Sequence, residues 1–436
     1  MVPQDTLGLD SLAERWRRAP VERRGGRVVS VHGTLVTADV PGARLGEVVQ
    51  IAGAGAAETV GFRERHALLM PFGALEGVHH GARVECTGEM PVAWVGNLLK
   101  GRVIDGFGQP LDGKGPIPGL VSRPLHAAPP DALARSLVRE ALPTGVRVLD
   151  GLLTFGRGQR VGLMAGSGVG KSTLMGMIAR RSAAAVNVIA LIGERGREVR
   201  EFLEDVLGPE GLRRSVVVVV TSDKAPVLQL RGAFLAMTIA EHFRDQGADV
   251  MMMVDSVTRL AMAQRQIGLA VGEPPTTRGY TPSCFALLPR LLERAGPADR
   301  GSITALYTVL VDGDDVEADP VGDAVRGIVD GHVVLSRRIA AEGRFPAVDV
   351  LHSISRVQQV VVSPRHYELS RKVRAVLAAW SQNEELVRLG AYKAGSSPVV
   401  DDAIARIPRI HAWLTQPVEE ATAYEAVLQG MEGVVK

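Results

Sequence analysis

The sequence predicts an α/β protein: a core with a parallel sheet, preceded by a small N-terminal β-barrel and followed by a C-terminal α-helical domain. Short, nearly continuous apolar runs, separated by stretches with helical spacing, indicate a parallel sheet buried on both faces. In residues 27–95, short β-rich runs alternate with glycine turns, which favours a small barrel, with a sandwich as the alternative. Helical spacing predominates after that core. We therefore expect a barrel domain at 27–95, a core domain at 96–365 and a helical domain at 366–436.

Composition limits the class of protein. The chain has 436 residues, 46% of them hydrophobic, which is enough for about two to four domains with a large core. A formal net charge of +2 argues against a strongly electrostatic nucleic-acid binder, and we expect no nucleic-acid partner. Cys86 and Cys284 lack metal-ligand spacing, which favours packing roles in a reducing compartment. Because no apolar run has transmembrane length and no signal peptide opens the chain, we expect a cytoplasmic protein, with contact to a membrane surface left open.

The first 26 residues form a segment of their own. Leu9, Leu12 and Trp16 recur at helical spacing between residues 7 and 18, and charged residues occupy the rest of that helix. The apolar stripe either packs on its own domain or serves as a docking surface for a partner or an acidic lipid surface. We predict that residues 1–26 form an N-terminal docking helix.

The connection into the core is dense in glycine and proline. Residues 96–115 predict several tight turns around one strand, and residues 116–130 predict an extended linker lying on the next domain. Residues 143–150 open a short helix before the first core strand.

The core strands are expected at the apolar runs 186–192, 216–220, 250–254 and 303–311, with helical stretches such as 198–207 and 232–245 between them. Further on, residues 348–351 predict another strand, and residues 367–388, 401–414 and 418–431 predict helices. Ligands of parallel sheets bind beyond the carboxyl ends of the strands. The residues that follow each strand are therefore the first candidates for chemistry.

A glycine-rich loop lies between an apolar strand at 160–164 and a helix at 174–181. Strand, loop and a helix that begins near Gly-Lys-Ser form the phosphate-binding loop arrangement, although Ala165 stands where the usual pattern has glycine. Backbone N–H groups of such a loop point at phosphate oxygens, and the helix dipole favours the anion. The predicted nucleotide-binding residues are Gly166, Ser167, Gly168, Val169, Gly170, Lys171, Ser172 and Thr173.

Two residues of the loop have specific expected roles. Lys171 would reach the β- and γ-phosphates, and the Ser172 hydroxyl would bind Mg²⁺. A second Mg²⁺ ligand is expected at Asp255, which ends an apolar strand in the Walker B position, although a plain turn residue is the alternative. The sequence thus predicts a site for ATP and Mg²⁺.

The catalytic candidates lie at other strand ends. Glu194 follows the strand 186–192, where a carboxylate facing the loop would polarise the attacking water, the alternative being a helix N-terminal acid stabilised by the dipole. Arg259 lies one helical turn beyond Asp255 and either approaches the phosphates or pairs with a local acid. Arg356 either serves a neighbouring subunit's site or forms a structural salt bridge. Asp312, Asp314 and Asp315 form either a polar network or a solvated turn.

Taken together, these motifs resemble a known family, and the resemblance spans nearly everything after Arg27. The chain is similar to the rotary-type ATPases related to the F1 catalytic subunit, and within them to the type III protein-export ATPases, in particular the flagellar ones. The segments that carry the resemblance are 101–113, 165–173, 191–199, 255–265, 272–280 and 330–337.

The resemblance implies a RecA-like P-loop core and a homo-hexameric ring with sites at the subunit interfaces. It identifies Glu194 as the catalytic glutamate, Arg356 as an arginine finger acting in trans, and Phe345 as the aromatic that packs on adenine, with Tyr392 assisting. Arg195 and Arg259 join Lys171 among the catalytic residues. As partners it implies a stator-like negative regulator on the N-terminal helix, a central coiled-coil stalk, chaperones and export substrates at the C-terminal helices, and a membrane export gate.

The function that follows is an ATP hydrolase assisting flagellar protein export from the cytoplasmic face of the inner membrane. The alternative within the class is the virulence injectisome version. An RNA-translocating hexameric helicase would need stacking aromatics on a basic surface, yet aromatic residues make up only 4% of the chain. A non-catalytic nucleotide-binding ring subunit would lack the carboxylate that Glu194 supplies.

Overall fold

The computed structural model describes residues 24–131, 133, 135–311 and 319–436. The chain divides into two units after Pro91. The predicted N-terminal docking helix and the acidic residues Asp312, Asp314 and Asp315 lie outside the described residues.

The first unit contains a closed antiparallel β-barrel, with the strand order β1-β2-β5-β4-β3-β6. Its strands are β1 (Gly25–His32), β2 (Leu35–Asp39), β3 (Val48–Ile51), β4 (Gly55–Arg63), β5 (His66–Pro71) and β6 (Arg83–Cys86). Alternate residues point inward, as the strand period requires, so that Val36, Val49, Leu69 and Val84 form a fully buried core. The barrel prediction is confirmed, and closure leaves no free sheet edge among these strands.

The second unit is built on one large sheet. Its elements are β7 (Val92–Val95), β8 (Val103–Ile104), β9 (Val121–Pro124), β10 (Arg160–Ala165), β11 (Val186–Glu194), β12 (Ser215–Thr221), β13 (Asp249–Asp255), β14 (Gly296–Pro297), β15 (Ser302–Leu310), β16 (Gly331–Leu335) and β17 (Val348–Ser355). The strand order in the large sheet is β17-β16-β10-β15-β13-β11-β12-β8, with β14 paired to β15. Strands β7 and β9 lie outside it in a separate sheet.

The sheet is parallel from β16 through β8, which confirms the predicted parallel core. The central strands are buried along nearly their whole length, as strands with helices on both faces must be. Strand β17 runs antiparallel to β16 at the edge, where Leu351 and Ile354 are partly exposed. Strand β17 is also longer than the predicted 348–351, so Arg356 directly follows it.

The proline-rich segment 116–130 is not simply a linker, and that prediction is wrong in part. Residues Val121–Pro124 form β9, which pairs with β7 in a separate two-stranded sheet. Beyond β9, Leu125 is buried and its carbonyl accepts a hydrogen bond from Arg294. A proline is tolerated at the end of such a short strand, because its missing N–H interrupts no long ladder.

The helices surround the large sheet. They are α1 (Arg147–Leu152), α2 (Lys171–Arg181), α3 (Gly196–Glu201), α4 (Gly208–Arg213), α5 (Pro226–Asp245), α6 (Val257–Val271), α7 (Pro282–Leu292), α8 (Pro320–Ile328), α9 (Arg337–Ala341), α10 (Gln358–Val361), α11 (Pro364–Arg388), α12 (Pro398–Leu414) and α13 (Tyr424–Val435). A π-helical turn, Phe202–Leu207, joins α3 to α4.

Two helix predictions need correction. The helix expected at 232–245 begins earlier, at Pro226, because proline is well suited to the first turn. The helix expected at 418–431 begins only at Tyr424. In the preceding turn the Glu420 carboxylate forms a salt bridge with Arg147, and the Glu420 backbone carbonyl accepts a hydrogen bond from the Gln416 side chain. These tertiary contacts outweigh the local helical spacing.

Helices α11, α12 and α13 pack on one another and against α1, forming the C-terminal helical region that the sequence predicts. Their buried face includes Val373, Ile410 and Met431. None of the helices in the described part of the chain is both long and apolar enough to span a membrane. Cys86 and Cys284 are buried free thiols, which fits their predicted packing roles.

Candidate active site

The phosphate-binding loop connects β10 to α2 in the middle of the large sheet. Strand β10 lies between β15 and β16, and α2 begins at Lys171. Gly168 and Gly170 have φ of 77° and 90°, a backbone conformation that glycine adopts without strain. Val169 is buried and anchors the turn, while its neighbours face a cavity.

That cavity, which we call the phosphate cavity, has a volume of about 620 Å³. Its lining brings together predicted site residues from four parts of the chain: Gly166, Ser167, Gly168, Gly170, Lys171, Ser172 and Thr173 of the loop, Glu194 at the end of β11 with Arg195 after it, Asp255 at the end of β13, and Arg259 on α6. Of the predicted loop residues, only the buried Val169 is absent from this lining.

Sheet register explains why the two acids meet. In the parallel pairing of β11 with β13, Leu191 lies beside Asp255, so that Glu194 extends beyond Asp255 over the loop. The Lys171 ammonium contacts the Asp255 carboxylate and lies 3.9 Å from Oε1 of Glu194. The Thr308 hydroxyl donates a hydrogen bond of 2.7 Å to Asp255 Oδ1 and fixes that carboxylate from β15.

Glu194 has an environment that disfavours its charge. Burial raises its pKa to about 7, aided by the negative charge of Asp255 and opposed by Lys171. A hydrogen bond with Glu198 also raises the pKa of Glu194 and lowers that of Glu198. The Glu194 Oε1 atom is buried and has no hydrogen-bond partner in the described residues. A carboxylate with such a pKa is suited to exchange protons near neutral pH.

Arg259 and Arg195 lie near Glu194 but differ in burial and in hydrogen-bond partners. Arg259 lies in the first turn of α6, where its N–H donates to the Ser256 hydroxyl, and its side chain packs against Gly193. The Arg259 Nε atom is buried and forms no hydrogen bond within the described part of the chain. Arg195 is exposed and pairs with Glu198 at 3.3 Å.

Of the two aromatic candidates, the structure brings one to the loop. A methyl group built on Gly170 would lie 3.7 Å from the Phe345 ring, and that ring is 43% exposed. The Phe345 carbonyl accepts a 2.8 Å hydrogen bond from the Gln416 N–H. Tyr392 lies instead in the turn between α11 and α12, where its hydroxyl donates to Ser397 O and Asp401, and it does not line the phosphate cavity.

Gln416 connects this end of the site to the helical region. Its buried side-chain amide accepts a hydrogen bond from the Arg147 N–H at 2.8 Å and donates one to the Gly145 carbonyl at 2.9 Å. The residue therefore joins the end of α12, the start of α1 and the Phe345 backbone.

Arg356 does not line the phosphate cavity. It lies in a larger, adjacent cavity of about 1350 Å³, which we call the arginine cavity after Arg326, Arg337, Arg338, Arg356, Arg371 and Arg374. The backbone N–H of Arg356 donates to Asp330 O, while its guanidinium reaches only the Arg326 carbonyl at 3.5 Å. No acid among the described residues forms a salt bridge with it.

The structure adds residues that the sequence analysis did not single out. Thr308 orients Asp255 from β15, and because Ser302 and Thr304 lie in the same strand, a hydroxyl in that strand is no signal of this role. Glu198 lies in the first turn of α3, four residues after Glu194, and forms a hydrogen bond with it. Arg337 lines both cavities, and nothing local in the sequence distinguishes it from its neighbour Arg338.

Comparison with protein-family models matches three segments of the chain. Residues 28–88 match the beta-barrel domain of the ATP synthase alpha/beta family, and residues 145–355 match its nucleotide-binding domain. Residues 362–433 match the C-terminal domain of the T3SS EscN ATPase.

Individual relatives agree with these matches. The flagellum-specific ATP synthase of Bacillus subtilis (strain 168) is 51% identical over 409 residues, which covers 92% of this chain and 93% of the relative. The type 3 secretion system ATPase of Xanthomonas euvesicatoria is 50% identical over 419 residues, covering 95% of each. Among solved structures, the assembled ATPase EscN from the enteropathogenic E. coli type III secretion system superposes with a TM-score of 0.90 at 44% identity, over 94% of this chain and 100% of that one.

Proposed function

The chain belongs to the ATP synthase alpha/beta family, as an ATPase of its type III secretion branch, and we propose that ATP bound at the phosphate loop powers protein export through a flagellar apparatus. The observation that carries this proposal is the convergence of Lys171, Glu194 and Asp255 on one cavity below the loop. In a nucleotide site these side chains supply a phosphate-binding cation, a base and a metal-binding acid.

Binding starts with the loop. Its N–H groups and the N-terminus of α2 receive the phosphate oxygens, and Lys171 turns from Asp255 to the β- and γ-phosphates. Phe345, next to Gly170, packs on the adenine, and its partly exposed ring leaves a face free for stacking. Tyr392 does not line the phosphate cavity, so any assistance in binding adenine comes from a position away from the loop.

Hydrolysis requires an activated water. Glu194 accepts the proton of a water that attacks the γ-phosphorus, and the bond from that phosphorus to the bridging oxygen breaks to give ADP and phosphate. Its unpartnered buried oxygen and raised pKa support this role. Arg195 and Arg259 lie beside it as positive charges that stabilise the phosphoryl oxygens.

Mg²⁺ fits the donor set. Ser172 and Asp255 both face the phosphate cavity and offer hard oxygens, which Mg²⁺ prefers. The described residues contain no group of three or more acidic, histidine or cysteine ligands. This agrees with an ion held by one or two side chains and the substrate phosphates. When bound, Mg²⁺ would neutralise the charge that develops on the phosphates.

Arg356 completes the site of a neighbouring copy. It lines the arginine cavity and not the phosphate cavity of its own chain, which supports an arginine finger acting in trans. We therefore propose a homo-hexameric ring, in line with a solved relative described as the assembled ATPase EscN.

One of the proposed partners, the central stalk, is supported by a solved relative. A second solved relative is EscN in complex with its central stalk EscO, with a TM-score of 0.87 at 44% identity. We propose an equivalent stalk here, chaperones and export substrates at the C-terminal helices, a stator-like regulator on residues 1–26, and an export gate at the inner membrane. The chain then acts in the cytoplasm, peripherally at that membrane. We propose a barrel domain at 27–95, a core domain at 96–365 and a helical domain at 366–436.

Substitution of Glu194 tests the catalytic proposal. In purified protein with Mg²⁺ and ATP, Glu194→Gln should lower phosphate release by about 100-fold or more, because it removes the base. Nucleotide binding should persist. Glu204→Gln is the matched control, since Glu204 is exposed and, among the residues that the structure describes, pairs with Arg200 alone. Phosphate release at the parent rate from the Glu194 variant would refute the assignment.

The flagellar and injectisome versions need a cellular test. The chain should restore motility to a flagellated bacterium that lacks its own export ATPase. Restoration of injectisome secretion alone would favour the alternative version.

A further inference from the structure

Arg337 lies between the two cavities. Strands β10 and β16 pair in parallel with Ala165 beside Leu335, so the residues that follow each strand emerge next to each other. A methyl group built on Gly166 would lie 2.9 Å from Arg337 Nε and 3.0 Å from Nη2. The guanidinium therefore rests directly against the backbone of the second loop residue. Gly166, Val311 and Arg337 line both the phosphate cavity and the arginine cavity.

The two ends of the loop have different neighbours. Phe345 lies against Gly170 at the helix end, whereas Arg337 lies against Gly166 at the strand end. If the base packs on Phe345, the polyphosphate extends away from that ring, and its terminal group points toward Gly166. Glu194, which must be close to the γ-phosphorus, lines the same cavity as Arg337.

Arg337 also differs from its neighbour in its ion pairs. Arg338 pairs with Glu384 at 2.9 Å and with Glu342 at 3.8 Å. Arg337 forms no salt bridge with any acid in the described ranges. Its planar fork is suited to two oxygens of one phosphate group.

We propose that Arg337 binds the terminal phosphate in its own subunit and makes the site selective for the nucleoside triphosphate over the diphosphate. This inference rests on the proposed function, because it assumes that ATP occupies the loop. It assigns to Arg337 an interaction that ADP cannot make, since ADP lacks the γ-phosphate.

The test compares affinities for ADP and for a non-hydrolysable ATP analogue in wild-type protein, Arg337→Gln and Arg337→Lys. Arg337→Gln should bind the analogue about 10- to 100-fold more weakly, as expected for a lost charge-assisted contact, with ADP affinity within about twofold of wild type. Arg337→Lys keeps the charge without the fork and should lie in between. Arg338→Gln, which removes the same charge one residue later, should bind both nucleotides as wild type does.

The outcomes separate the two proposals. Equal losses of ADP and analogue affinity in Arg337→Gln would identify Arg337 as a brace for the loop and overturn the inference, as would no loss at all. Wild-type protein that binds neither nucleotide would instead overturn the proposed function. Arg337→Lys gives the same comparison if the glutamine variant does not fold, and thermal unfolding of each variant checks this.

Discussion

At the scale of single residues, the site depends on how charges are balanced around Glu194. Burial and the nearby Asp255 act against its ionisation, and the Lys171 ammonium acts for it. The Glu198 carboxyl shares a hydrogen bond with Glu194, so each affects the proton of the other. The result is a carboxyl group with a pKa of about 7, which lets it exchange protons near neutral pH.

This balance predicts a pH dependence of kcat/KM for ATP, which reports ionisations of the free enzyme. Because the base acts only when deprotonated, kcat/KM should rise about tenfold per pH unit below 7 and level off above it. Glu198→Gln removes a group that raises the pKa of Glu194, so the rising limb should move to lower pH. A limb that stays in place in that variant, or a flat profile between about pH 5 and 8, would contradict this assignment.

At the scale of elements, a buried ion pair ties α5 to the segments around it. Arg294 follows α7, is completely buried, and binds Glu241 of α5 through Nε at 2.8 Å and Nη2 at 2.5 Å. It also donates to Thr238 and to the Leu125 carbonyl, which secures the chain just beyond β9. All three guanidinium nitrogens of Arg294 donate hydrogen bonds inside the protein, where an unpaired charge is costly.

Arg294→Ala should therefore destabilise the protein by about 3–5 kcal/mol, because it leaves Glu241 buried without its partner. Denaturant unfolding measures this, with Arg290→Ala, an exposed position on α7, as the control. The double variant Arg294→Met with Glu241→Leu should recover much of the loss, since no buried charge remains. A double variant less stable than Arg294→Ala would argue against a charge-burial mechanism.

The elements also indicate what the sequence can predict. The strands that lead to Lys171, Glu194 and Asp255 are continuous apolar runs with polar ends, so pattern alone located them and the residues beyond them. Strand β4 is hard to recognise from sequence because Ala56, Ala57, Thr59 and Gly61 carry little hydrophobic signal, and β9 lies in a segment whose proline density predicts a linker. Arg337 and Thr308 reach the site only through strand register, which is decided by contacts distant in sequence.

At the scale of the whole molecule, the proposed role of Arg356 implies that a single chain holds an incomplete site. Glu194 and Lys171 line the phosphate cavity, but Arg356 lines the arginine cavity beside it. If Arg356 acts in trans, specific activity should rise with protein concentration as copies assemble. This makes catalysis a property of the interface between copies.

Mixing two inactive variants tests this directly. Glu194→Gln retains Arg356, and Arg356→Ala retains Glu194, so a mixed ring contains interfaces with both intact groups. Random mixing at equal ratio should restore ATP hydrolysis at roughly a quarter of the interfaces. Mixing Glu194→Gln with the double variant is the control and should restore nothing. Absence of recovery in verified mixed rings would show that Arg356 does not act on the site of a neighbouring copy.

The hydrogen bonds of Gln416 link the surroundings of the phosphate cavity to the helical region. Gln416 follows α12 by two residues, and its hydrogen bonds reach the Phe345 backbone and the start of α1, so displacement of those helices must strain or release the aromatic side chain beside the loop. Free-energy coupling of this kind is reciprocal. A protein that binds the C-terminal helices and shifts Gln416 would change the affinity for nucleotide by some factor. Bound nucleotide would then change the affinity for that protein by the same factor.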